Sequence, residues 1–126
     1  MRSVITIVLF CFLLQACSKD SNSQKDTILP VITFVTPVNG QTFNAGESIM
    51  ITGNITDNNY IAEVHIHVSN LITGALLMDV HLFPAGNATS FNQSITAAAG
   101  VHYKIQVHAI DRAVNQAITS VEVSCN

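Results

Sequence analysis

Ile61-Ala62-Glu63-Val64-His65-Ile66-His67-Val68-Ser69 decides the fold. Val64, Ile66 and Val68 alternate with Glu63, His65 and His67. Successive side chains of a β-strand point to opposite faces, so the aliphatics are expected to fill a core. Glu63, His65 and His67 then share the outer face. The same period returns in residues 101–110, where Tyr103, Ile105, Val107 and Ala109 are expected inward. His102, Lys104, Gln106 and His108 are left facing outward. No segment sustains a helical period.

Other strands follow on either side of these two runs. Residues 31–35 lie between Pro30 and Pro37 and read as an edge strand, where proline is tolerated. Residues 48–55 place Ile49, Ile51 and Ile55 inward, with Gly53 marking a bulge or a close approach. Asp57-Asn58-Asn59 is rich in turn formers and reads as a loop. Residues 75–83 form a further strand, with Val80 and Leu82 inward and Asp79 and His81 outward; Pro84-Ala85-Gly86-Asn87 breaks it. Residues 90–96 and 117–124 complete the set. Seven short strands with regular turn signals predict an all-β, seven-stranded antiparallel β-sandwich.

The chain has 126 residues, 10% charged side chains and a formal charge of −3. With no basic patch, nucleic-acid binding is disfavoured. Of the cysteines Cys11, Cys17 and Cys125, the first two lie in the N-terminal segment. Cys125 would then be left without an intrachain partner, and the fold must rest on its core.

The N-terminus carries an address. Arg2 precedes an apolar run from Val4 to Leu14, too short for the ~20 residues that span a bilayer. Leu14-Gln15-Ala16-Cys17 closes it and resembles a bacterial lipoprotein signal. That resemblance implies a signal peptide over 1–16 and a lipid on Cys17, anchoring the chain to the membrane without spanning it. Ser18 after the cysteine favours the outer membrane, on the periplasmic side or at the cell surface. Ser18-Lys19-Asp20 loosely resembles the surface-export tag of Bacteroidetes lipoproteins. Ser18 to Asp26 are polar and no core-forming period begins before Pro30, so 17–29 is expected to be a flexible tether and 30–126 one domain.

A second resemblance covers that domain. Pro37-Val38-Asn39-Gly40, Gly46-Glu47-Ser48-Ile49, Gly53 and Asp57 look like the front half of bacterial Ig-like domains. Tyr103 to Asp111 resembles their penultimate strand. In that family the aspartate is often followed by x-Ala-Gly-Asn; here Arg112-Ala113-Val114-Asn115 puts valine in place of glycine. The resemblance implies an Ig-like sandwich of fibronectin-III or cadherin type, since tryptophan and the inter-sheet cysteine pair are missing. It implies that Tyr103 is a tyrosine corner. With its leader and histidines the chain is also similar to a group of Bacteroidetes Ig-like lipoproteins. Fold of this kind says little about function.

The five histidines are the candidates for chemistry. In a fibronectin-like arrangement strand 61–69 lies between strands 101–110 and 75–83, so His65, His67, His81, His102 and His108 share one outer face. The expected register puts His65 near Gln106 and diagonal to His108, His67 diagonal to His102, and His81 near His65 or Glu63. Imidazoles beside a carboxylate suit Zn²⁺, Cu²⁺ or Ni²⁺. Lys104, expected amid them, opposes a cation, and a polar outer face without a ligand has the same pattern. A second set, Asp57, Asn58, Asp111 and Asn115, offers hard oxygens for Ca²⁺, although Asx residues make such loops with no ion.

No nucleophile elbow or recognisably placed carboxylate pair is present, so catalysis is not expected. Asn54, Asn87 and Asn92 begin N-x-S/T triplets, read as ordinary polar strand sequence. Asp26-Thr27-Ile28 resembles the Bacteroidetes O-glycosylation pattern. The expected function is a lipid-anchored binding or adhesion module for a protein or glycan partner. The alternative is a Zn²⁺- or Cu²⁺-binding lipoprotein using the histidine face.

Overall fold

The computed structural model describes residues 24–126. The signal peptide expected over 1–16, Cys17 and the start of the tether lie outside the described residues. The elements are β1 (Val31–Thr36), β2 (Thr42–Phe43), β3 (Ser48–Asn70), β4 (Leu76–Leu82), β5 (Gly86–Thr96), β6 (His102–Asp111) and β7 (Gln116–Cys125).

The expected strand over 48–55 and strand over 61–69 are joined in β3. Its first part pairs β1 and β5, and its second part pairs β4 and β6. The register against β5 jumps between Thr56 and Ile61. Asp57-Asn58-Asn59 therefore forms a wide bulge rather than a separate loop. Asp57 Oδ2 fixes it by accepting hydrogen bonds from the Asn59 and Tyr60 backbone N–H groups, each at 2.8 Å. The chain also adds β2, which runs parallel to β7 and corrects the all-antiparallel expectation. β5 begins at Gly86, inside the stretch read as a break.

β1, the first part of β3 and β5 form one layer. β4, the second part of β3, β6 and β7 form the other, in that order, with β2 beyond β7. Between them Ile49, Ile51 and Ile55 meet Val64, Ile66, Val68, Ile105 and Val107, all fully buried in one cluster. Each such side chain contributes about 1.5–3 kcal/mol by leaving water. The inward phases expected for residues 64–68 and 103–109 are those observed. Val80 and Leu82 are partly buried against the same core.

Three details fix the ends and edges of this core. Tyr103 is buried and its Oη accepts a hydrogen bond from the Ala98 N–H at 2.7 Å, as a tyrosine corner does. Gly53 lies between Phe34 and Phe91 in the ladder, and those two rings meet edge to face at 5.6 Å. A Cβ on Gly53 would fall 2.3 Å from Phe91 and 2.4 Å from the Thr33 carbonyl oxygen, so the sequence reading of a close approach is right. Val114 has φ 67°, the left-handed conformation that suits the glycine its turn lacks.

Hydrogen bonds join the end of the expected tether to the domain. Asn58 Nδ2 donates to Asp26 Oδ2 at 3.0 Å, and Asn115 Nδ2 donates to the Asp26 carbonyl at 3.1 Å. These bonds tie Asp26 to the domain that follows.

Candidate functional site

Three neighbouring strands build the site on the outer face of the second layer. In register, His81 of β4 lies opposite His65 of β3, and His65 lies opposite His108 of β6. One position along, on the same face, Asp79, His67 and Gln106 form the next row. Alternation puts these groups outward because the intervening Val64, Ile66, Val80, Val107 and Ala109 are drawn inward.

The imidazoles converge. The rings of His65 and His81 stack at 4.0 Å between centroids, and His67 is 5.2 Å from His108 and 5.8 Å from His65. One ligating atom from each of His65, His67 and His81 lies within 4.8 Å of the others. Two carboxylates serve them. Asp79 Oδ1 is 3.1 Å from His67 Nε2 and 3.2 Å from His81 Nε2. Glu63 Oε1 is 3.4 Å from His81 Nδ1 and 2.6 Å from His65 Nε2. The His65 contact is short but lacks the alignment of a hydrogen bond, so His65 Nε2 is shut from solvent without a partner. His108 Nε2 is in the same condition, while its Nδ1 meets the Gln116 amide nitrogen at 3.3 Å. Burial, and then the neighbouring His67 and His65, hold His108 below the ordinary imidazole pKa.

The register corrects the sequence reading in three places. His65 faces His108 directly, and Gln106 faces His67. His102 keeps the outward phase but pairs Ser124 at the far end of β6, so it is not part of the cluster. Four residues of strand separate it from Gln106, about 13 Å at ~3.3 Å each. Lys104 pairs with Ser69 and Glu122, one row beyond His67 and Gln106 on the same face, so it borders the histidine group and does not lie within it. The phase of residues 61–69 places Glu63 on this face, and the β3–β4 register brings Asp79 to His67 and His81.

The second constellation is also assembled. Asp57, Asn58, Asp111 and Asn115 come together at one end of the sandwich, and Asp26, which the sequence reading placed in the tether, joins them. One carboxylate oxygen from each of Asp26, Asp57 and Asp111 lies within 4.8 Å of the others. Their hydrogen bonds are mostly satisfied from within. Asp111 is buried and accepts from the Asn115 N–H at 2.7 Å and the Asn115 side-chain amide at 2.6 Å. Asp26 accepts from the Ile28 N–H and Asn58 Nδ2, leaving Asp57 Oδ1 without a partner. The network clasps residues 26–28 to the β3 bulge and the β6–β7 turn.

These features define an Ig-like β-sandwich module with a histidine-bearing sheet face. Residues 30–102 match the bacterial Ig domain family, and the chain belongs to it. The fibronectin(III)-like modules of CbhA from Clostridium thermocellum have a similar structure, with 21% identity and TM-score 0.54, over 75% of this chain and 94% of theirs. A superoxide reductase (neelaredoxin) from Ignicoccus hospitalis is similar at 9% identity and TM-score 0.51, over 79% of this chain and 81% of that one. OgpA from Akkermansia muciniphila matches over 79% of this chain and 30% of its own length, with 10% identity and TM-score 0.51. At such identities the likeness is one of fold alone. No curated protein matches the chain in sequence.

Proposed function

We propose that this chain is a lipid-anchored, extracytoplasmic Ig-like binding module without catalysis of its own, held at the outer membrane by Cys17. It presents the outer face of the β4–β3–β6–β7 layer to a protein or glycan partner. The observation that carries this reading is the composition of that face. His65, His67, His81, His108, Glu63 and Asp79 gather there, flanked by exposed Phe83, Leu77 and Ile118. The outer face of the other layer carries mainly hydroxyl and amide side chains, such as Thr52, Asn54, Ser90, Asn92 and Ser94, with exposed Val31, Val35 and Met50 and no histidine among its described residues. The core needs none of the groups on the histidine face. Membership of the bacterial Ig family supports a binding role, and the lipoprotein-like leader supports the address.

Fractionation tests the anchoring. Cys17→Ser should release the protein from the membrane fraction or leave the precursor unprocessed. A variant that matures and fractionates like the wild type contradicts the anchor.

A further inference from the structure

We infer that His65, His67 and His81 form a binding site for one divalent transition-metal ion of the Zn²⁺ or Cu²⁺ class, with Asp79 and Glu63 as supporting carboxylates and His108 beside it. This goes beyond the binding module proposed above and does not depend on the lipid anchor.

The geometry is close to what such an ion needs. Zinc holds imidazole nitrogens at about 2.0–2.1 Å in a tetrahedron, which sets them roughly 3.4 Å apart. The nitrogens here lie within 4.8 Å of one another, and binding would close the remaining gap by rotation of the side chains. His65 and His67 come from one strand and His81 from its neighbour, so the ladder itself holds the donor set.

The surroundings point the same way. An imidazole that ligates through one nitrogen needs a partner for the other, and a carboxylate is a common one. Asp79 lies at Nε2 of His67 and of His81, where it can hold a nitrogen that does not ligate, and Glu63 lies at His65 Nε2 and His81 Nδ1, where it can join the ligands of the ion. Two carboxylates also offset the charge of a dication. Among the described residues, no lysine or arginine forms an ion pair with either. Shielding two ring nitrogens, on His65 and His108, from water without partners is costly. A cation at the centre would satisfy that of His65, and it would bind the neutral imidazoles that such sites require. Three nitrogens leave a fourth position for a carboxylate, a water or a partner's donor, as in open zinc sites. The donor set is nitrogen-rich, which favours Zn²⁺ and Cu²⁺ over the oxygen-seeking Ca²⁺ and Mg²⁺.

Calorimetry with Zn²⁺, Cu²⁺ and Ca²⁺ tests the site on the full chain without a histidine tag, purified in detergent. The expected result is one Zn²⁺ or Cu²⁺ per chain. His65→Ala and His81→Ala should each weaken it at least about tenfold, and Asp79→Asn by about tenfold. His102→Ala should leave the affinity within about twofold. The exposed His81 guards against a folding artefact, since unchanged melting of His81→Ala shows an intact domain. Absence of stoichiometric Zn²⁺ and Cu²⁺ binding overturns the proposal. So does binding that survives the His65 and His81 substitutions, which would place the ion on a cysteine or elsewhere.

Discussion

Val114→Gly should stabilise the domain. Val114 occupies φ 67° in the β6–β7 turn, where its N–H donates to the Asp111 carbonyl at 3.2 Å. An L-residue in the left-handed region costs about 1–2 kcal/mol, and β-branching makes valine a poor occupant. Glycine removes that strain but loses about 0.5–1 kcal/mol more backbone entropy on folding. The valine side chain is 80% exposed, so its deletion gives up little burial. The balance is a gain of about 0.5–1 kcal/mol, or a few degrees in Tm for a domain of this size. Gly100→Ala is the mirror experiment. Gly100 has φ 72° with nothing within 4 Å of an added Cβ, so alanine there adds strain without a clash. It should cost about 0.5–1 kcal/mol, the added strain less the backbone entropy that alanine saves. Urea unfolding followed by far-UV circular dichroism reads both. A Val114→Gly protein less stable than the wild type, or a Gly100→Ala protein more stable, refutes the backbone reasoning.

Gly53→Ala should destabilise by about 1–3 kcal/mol in the same unfolding assay, because the new methyl group meets the Thr33 carbonyl and the Phe91 ring; an unchanged midpoint would contradict the close approach. Glu47→Gln should show a pH-dependent loss of stability. The Glu47 carboxylate accepts from the Asn44 N–H at 2.8 Å and the Asn44 side-chain amide at 2.9 Å, and these bonds hold its pKa below the ordinary 4.5. A lowered carboxylate pKa adds stability above the unfolded value and loses it as pH falls through the folded value. Melting temperatures of the two proteins should therefore differ at neutral pH and converge in acid, and a constant difference would contradict the assignment.

The faces of this fold were legible in the sequence, and the positions along the strands were not. Val64-His65-Ile66-His67-Val68 fixes which side chains face the core, because a slip of one residue would bury the histidines. A slip of two residues preserves the alternation. That is why His65 was expected opposite Gln106 and is found opposite His108. The actual register follows from the wide bulge at residues 57–60 and the shift between Ile61 and Glu63 in the β3–β6 ladder. Asp57-Asn58-Asn59 marks where the strand is interrupted, but no local pattern encodes by how many residues the register shifts. β2 has two residues, too few to show a period. Asp26 was hidden because a polar segment reads as tether until its partners Asn58 and Asn115 are in place.

Imidazole ¹H–¹⁵N spectra of the full chain, recorded as Zn²⁺ is added, test most directly the claim that this sheet face is a convergent site. The stacked rings of His65 and His81 should show mutual nuclear Overhauser contacts before the metal is added. With one equivalent, the ring nitrogens of His65, His67 and His81 should shift together while those of His102 stay in place. Shifts spread evenly over all the histidines, or none beyond those of a metal-free titration, would contradict it.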